Sequence, residues 1–200
     1  MKKITFILLF LFLLPTVKAQ NQALNSIKTD FITYNKKLKN KDLENALDYV
    51  LPEFFTYFSK EKMLKGMKQL MEDESMTYVL NDPIINKIKP ITKSNSKYYS
   101  LIDYNGDFAI QFKQSLNLSK EEWQKFKAYY LQSFNKTFGK ENVSFNDNTK
   151  FFKIKSKNYI LAVSTNGKDH WKFLQIDPNL GDIYTKIIPK DILEKYDIIK

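Results

Sequence analysis

The chain has no cysteine and no arginine, a single histidine, and only 5 glycines among 200 residues. Without cysteine there is no disulfide, no thiol nucleophile and no cysteine-ligated zinc, so packing alone must hold the fold. A thiol-linked lipid anchor is excluded for the same reason. His170 has no companion histidine, and no Gly-x-Ser-x-Gly nucleophile elbow is present. Neither a metal nor a cofactor is expected. The missing arginine bears on the charge: all 32 basic residues are lysine, and the formal net charge is +10. Nucleic-acid readers favour Arg for its bidentate contacts with guanine and phosphate. The lysines here are scattered without a run of five or six, which reads as solvated faces. No nucleic-acid partner is expected.

What is present begins with an address. Lys2 and Lys3 precede an apolar run from Ile4 to Leu14, broken by Pro15 and followed by Val17-Lys18-Ala19. That order is the pattern of a secretory signal peptide over residues 1–19, cleaved after Ala19. The run is short for a permanent span of a ~30 Å hydrocarbon core; an uncleaved anchor is the alternative. Cleavage would leave residues 20–200 as one exported domain, periplasmic or secreted, with no integral membrane segment. Loss of Lys2, Lys3 and Lys18 would lower its charge from +10 to +7.

Beyond the leader, Leu24, Ile27, Phe31, Tyr34 and Leu38 recur at helical spacing. A second helix is expected from Leu43 to Val50, stopping near Pro52. A third follows Ser59 with a Met63, Leu64, Met67, Leu70 and Met71 stripe. From Met76 the period changes to two. Thr77–Leu80 and Ile84–Ile91 read as strands, with Pro83 and Pro90 marking an edge or bend. Two Asn-Gly pairs predict type I′ hairpins. Asn105-Gly106 would join Lys97–Tyr104 to Asp107–Lys113, and Asn166-Gly167 would join Asn158–Thr165 to Lys168–Asp177. Between them Ser119 and Glu122 form a capping box for a helix ending at Gly139. Pro189 opens a last short helix through Ile192, Leu193 and Tyr196. The fold class is α+β: N-terminal helices packed in a curved antiparallel sheet, with an additional helix at about 119–138.

Three helices followed by long antiparallel strands resemble the cone-shaped fold shared by nuclear transport factor 2, ketosteroid isomerase and polyketide-cyclase-like proteins. The tail His170-Trp171-Lys172-Phe173-Leu174-Gln175-Ile176-Asp177, with Ile188-Pro189-Lys190-Asp191-Ile192-Leu193, is similar to exported bacteroidete members of that superfamily. The resemblance implies a sheet wrapped around the first helix and an apolar pocket at its open end. Its members include enzymes, ligand carriers and dimerising scaffolds, so fold alone does not assign chemistry. The helix at Ser119–Phe138 departs from the simple cone.

Four residues are candidate ligand contacts. With Asn105-Gly106 as a hairpin loop, Tyr99, Leu101, Phe108, Ile110 and Phe112 would share an apolar face, with Asp103 among them opposite Phe108. A carboxylate desolvated there would suit a general base, whereas a turn-side Asp is ordinarily solvated. Trp171 and Phe173 should share the other face of their strand with Ile160 and Ala162, as core or as pocket wall. His170 should lie near Val163. Asp103–Asp107 and Asp177–Asp182 resemble calcium loops in part, but both lack the closing acid and read as turns. The leading expectation is a non-catalytic binding module holding a small apolar ligand or a protein partner, in a cone pocket or on its sheet face. The alternatives are a pocket-carboxylate isomerase or hydrolase, and a dimerising envelope scaffold that pairs as a homodimer.

Overall fold

The computed structural model describes residues 14–199. The first thirteen residues of the expected leader lie outside the described residues. Helix α1 (Leu14–Lys39) buries Ile27 and Phe31, and a turn at Lys41 with φ 60° leads into α2 (Leu43–Leu47). This second helix stops short of Val50 because the chain there becomes a strand partner. Phe173 N–H donates to the Tyr49 carbonyl (2.7 Å), and Leu51 N–H donates to the Phe173 carbonyl (2.9 Å). Leu51 also precedes Pro52, whose ring disfavours helical backbone before it. A 3₁₀ turn at Pro52–Thr56 then leads to α3 (Lys60–Met71), whose cap Ser59 accepts from the Lys62 N–H.

The strands are β1 (Met76–Leu80), β2 (Ile84–Ile88), β3 (Thr92–Ser94), β4 (Lys97–Asn105) and β5 (Phe108–Phe112), then β6 (Val143–Phe145), β7 (Phe152–Ile154), β8 (Lys157–Ser164) and β9 (Lys172–Gln175). Helix α4 (Lys120–Phe138) lies between β5 and β6, held at its start by the expected Ser119–Glu122 capping box. Helices α5 (Gly181–Ile187) and α6 (Lys190–Tyr196) close the fold. The class is α+β, with N-terminal helices followed by antiparallel sheets, as the residue periods indicated.

The pairing corrects the first expected hairpin. β4 and β5 do not pair with each other: β1-β5-β7-β6 form one sheet, and β2-β4-β8-β9 form another with β3 also on β4. Asn105 pairs with Lys157 and Phe108 with Ile154, three residues along on both strands. The two ladders are therefore one register carried through a bend. Gly106 N–H donates to the Ser156 carbonyl (2.8 Å) within it, and Gly106 is not among the residues with positive φ. Folding β4 back on β5 would forfeit the eight-residue ladder from Tyr98 to Asn105 against β8. The longer ladder outweighs a local turn preference. On the other flank, Asn105 faces Ile84 and Phe108 faces Leu80, so β1–β2 spends one extra residue around Pro83. A bulge there increases the bend. The tight two-residue turn falls instead at Asn95-Ser96, with Asn95 at φ 51°.

The second hairpin forms, with a longer loop. Val163 pairs with Lys172, not His170, because Asn166 Oδ1 accepts from the Lys168 and Asp169 N–H groups and draws extra residues into the turn. The two-residue shift preserves the faces, so Trp171 and Phe173 do join Ile160 and Ala162.

Unbroken register makes the alternation simple to follow. Even-numbered residues Ile102, Tyr104, Ile160 and Ala162 pack on α1 through Ile27 and Phe31. Farther along the same side, Phe108, Phe112 and Phe152 meet Phe126, Tyr130, Phe134 and Phe138 of α4. Odd-numbered residues Tyr99, Leu101, Leu161 and Val163 pack under Tyr184, Ile192, Leu193 and Tyr196. The expectation that Tyr99, Leu101 and Asp103 share a face with Phe108, Ile110 and Phe112 is thus overturned; a continuous strand sets them on opposite sides.

The bend and the true turn make different demands on glycine. Gly167 has φ 70°, and a Cβ there would come within 2.6 Å of the Tyr98 ring. Gly167→Ala is expected to cost more than about 1 kcal/mol. Gly106→Ala, whose nearest contacts would be 3.1 Å, is expected to cost less than Gly167→Ala. Urea denaturation of both variants checks this order; the reverse order would restore a positive-φ hairpin at Asn105-Gly106.

Candidate functional site

The four candidate residues are not brought together. Trp171 and Phe173 are each 1% exposed and fill the space between the β8–β9 strands and α1. Phe173 stacks on Tyr34 at 5.7 Å and meets Phe31 edge-on at the same distance. The backbone N–H of Trp171 donates to Asp30 of α1 (2.9 Å), which pins the strand end to the helix. The Trp171 indole N–H is buried with no acceptor among the described residues. Aromatic rings of this size bury ~150–250 Å² each. At about 25 cal/mol per Å² that is roughly 4–6 kcal/mol per ring. Swinging both aside for an apolar ligand would consume much of an ordinary domain's stability of about 5–15 kcal/mol.

Tyr99 lies across the sheet from that pair, 3% exposed, beneath α6. Burial pushes its phenol pKa up, and the charges of Glu53 and Asp191 add to the effect. It borders an open cleft of about 520 Å³ between the 3₁₀ turn, the β3–β4 turn and the α5–α6 junction. An ion pair between Lys97 and Glu53 closes one side of that cleft. Tyr196 anchors α6 above it. Its hydroxyl lies 2.9 Å from both the Pro90 and Tyr99 carbonyls and 3.2 Å from the Thr92 hydroxyl.

Asp103 is placed differently from both. Its carboxylate accepts from the Asn86 amide (3.0 Å) and pairs with Lys157 at 3.5 Å. Lys157 in turn has its pKa raised, first by a hydrogen bond with Tyr159 and then by the Asp103 charge. Asp103 is a paired carboxylate on a sheet surface, and none of the described cavities is lined by it.

That surface is the feature that sequence reading missed. The C-terminal helices cover the odd-numbered face of the sheet only as far as Leu101 and Leu161. Beyond them Lys153, Lys155, Lys157 and Tyr159 alternate as exposed residues with buried or half-buried neighbours. Opposite them stand Asp103, Asn105 and Ala109, and then Val79, Ile84 and Lys87 of β1 and β2. Three large apolar side chains are exposed on this face, set among Asp103, Asn105 and the lysines: Ile84 at 61%, Val79 at 40% and Tyr159 at 39%. A hollow of about 340 Å³ beside Leu101, Tyr159, Tyr196 and Ile198 ends the strip on one side. A second, of about 350 Å³ between Val79, Ala109, Phe151 and Lys153, ends it on the other. The signal was in the sequence, as every second residue from Lys153 to Lys157 is lysine. The abundance of lysine elsewhere concealed it.

Compared with known proteins, the chain matches no family model and no curated protein.

Removing the Tyr196 hydroxyl tests how firmly α6 bounds this surface. Tyr196→Phe strips a buried donor from two carbonyls and is expected to destabilise the fold by about 1–3 kcal/mol. Chemical denaturation reads the loss; no change would mean that α6 is held by packing alone.

Proposed function

We propose that this chain is a non-catalytic binding module that engages a polypeptide partner on the uncovered odd-numbered face of its bent sheet. The observation that carries the reading is the contrast between the two ends of the sheet. One end is covered on both sides and filled by Trp171 and Phe173, while the other leaves Val79, Ile84 and Tyr159 exposed on one side. Large apolar side chains left exposed among polar ones on an uncovered sheet face support an interaction surface. Of the two ligands expected from the sequence, a small apolar molecule has the weaker support, since the cone interior is occupied by side chains. A pocket-carboxylate enzyme has weaker support still, because Asp103 is paired with Lys157 and Asn86.

The long first helix beneath a bent antiparallel sheet supports placing the chain in the cone-shaped superfamily. The signal pattern in residues 1–19 would put the partner outside the cytoplasm. Among the described residues no helix is long and apolar enough to cross a membrane.

Photo-crosslinking tests this reading. A benzoylphenylalanine at Val79 is expected to trap a discrete polypeptide in cells producing the full chain, and one at Ile32 on α1, 42% exposed, is expected to trap none. Denaturing mass spectrometry of the same preparation should release no stoichiometric small molecule. A one-to-one small molecule without any adduct at Val79 would overturn the proposal in favour of a carrier.

A further inference from the structure

Resting on the reading of this face as a polypeptide-binding surface, we infer that its partner is an extended acidic segment. That segment would carry two apolar side chains about six residues apart and acidic residues at alternate positions between them. The spacing follows from the row that runs from β7 through the bend into β8. Alternate residues of extended backbone are separated by roughly 6.5 Å, and Lys153 on β7, Lys155 in the bend and Lys157 at the start of β8 hold alternate, exposed positions of one row that an extended peptide can follow. The two hollows lie at the ends of the same row, one beside Tyr159 and the other beside Lys153. Six residues separate these positions, about 20 Å measured along the chain and less across the bend.

The charges are available. Asp103 is engaged by Asn86 and Lys157, and Asp107 accepts from the Ser156 N–H at 3.4 Å. Among the described residues no carboxylate lies within 4 Å of the Lys87, Lys153 or Lys155 ammonium groups. The strip therefore holds more cations than its own acids neutralise. Two other occupants fit less well. A second copy docked face to face about a two-fold axis would bring one lysine row against the other. An anionic bilayer would meet the lysines, but it has no side chains of fixed spacing to seat in two separate concavities.

Fluorescence anisotropy of a labelled Val-Ser-Glu-Ser-Glu-Ser-Leu peptide with the full chain, at 20 and 150 mM salt, tests the inference. Saturable binding is expected, weakened at least tenfold in the Lys153→Glu/Lys155→Glu variant and at least fivefold when both peptide ends are replaced by Ser. Lys153→Gln/Lys155→Gln, the milder change, should give an intermediate loss and serves if the reversed variant does not fold. Equal binding by wild type and both variants would overturn the inference, as would equal binding of the Ser-ended peptide. So would binding to phosphatidylglycerol vesicles with none to the peptide. If the peptide fails while the Val79 adduct persists, the acidic segment falls and the polypeptide interface stands. If both fail, the interface falls as well.

Discussion

Asn105 faces Lys157 and Phe108 faces Ile154, and because the same number of residues separates them on each strand, the alternation of side chains passes through the bend intact. Every placement described above depends on that conserved register. A slip of one residue between the halves would have turned Phe108, Phe112 and Phe152 away from α4 and put Ala109 and Lys153 in their place. The bend is accommodated elsewhere, by the extra residue around Pro83 and the bulge between Ile85 and Lys87. The edge strand absorbs the strain because it has a ladder on one side only. The central pair has ladders on both sides and keeps its count.

The even-numbered face carries α1 over one half and α4 over the other. The odd-numbered face is covered over one half alone. The two seven-residue helices α5 and α6 are both committed to Tyr99, Leu161 and Val163. At about 1.5 Å per residue, a seven-residue helix spans roughly 10 Å and cannot cover both halves of so long a sheet. The exposed strip sets lysines beside Val79, Ile84 and Tyr159, a mixture that keeps an uncovered face hydrated.

Most helices were legible because their signals are local; α5 was not, since Asp177–Asp182 read as a turn and helix Gly181–Ile187 starts within it without a side-chain cap. Ser59 and Ser119 cap where their side chains can reach the next turn, and the 3.6-residue stripes of α1 and α4 name the faces they bury. Strands were legible as strands, and the faces of β8 and β9 survived even a two-residue error in the loop. Partner choice was not legible. Asn105-Gly106 carries a strong hairpin signal, yet β4 has a longer ladder with β8 than β5 could offer it, and a turn preference of short range cannot report on that. The hollows were hidden for a similar reason. Tyr196 and Ile198 meet Tyr159 from nearly forty positions away, and Asn146, Thr149 and Phe151 reach Val79 from a still more distant segment.

Lysine on a β-sheet has a familiar protective role, which must be weighed against a binding role here. Charged residues on edge strands prevent open ladders from recruiting other chains. The strands bearing Lys153 and Lys157 are interior: β7 sits between β5 and β6, and β8 between β4 and β9; Lys155, in the bend between them, has its N–H paired with the Asn142 carbonyl. Lysines on these strands guard no unpaired N–H or carbonyl. They stand on a face, beside Val79, Ile84 and Tyr159, where solubility alone could be met by any polar residue and by either sign of charge. Three cations in register, with only Lys157 neutralised by a neighbouring acid, set a local potential that favours an anionic partner. The two hollows at the ends of the row supply the apolar contacts that charge alone lacks. Charge of this kind governs the rate and choice of encounter, and the burial of apolar anchors sets how long the encounter lasts. The strip has both elements within the length of one short extended segment.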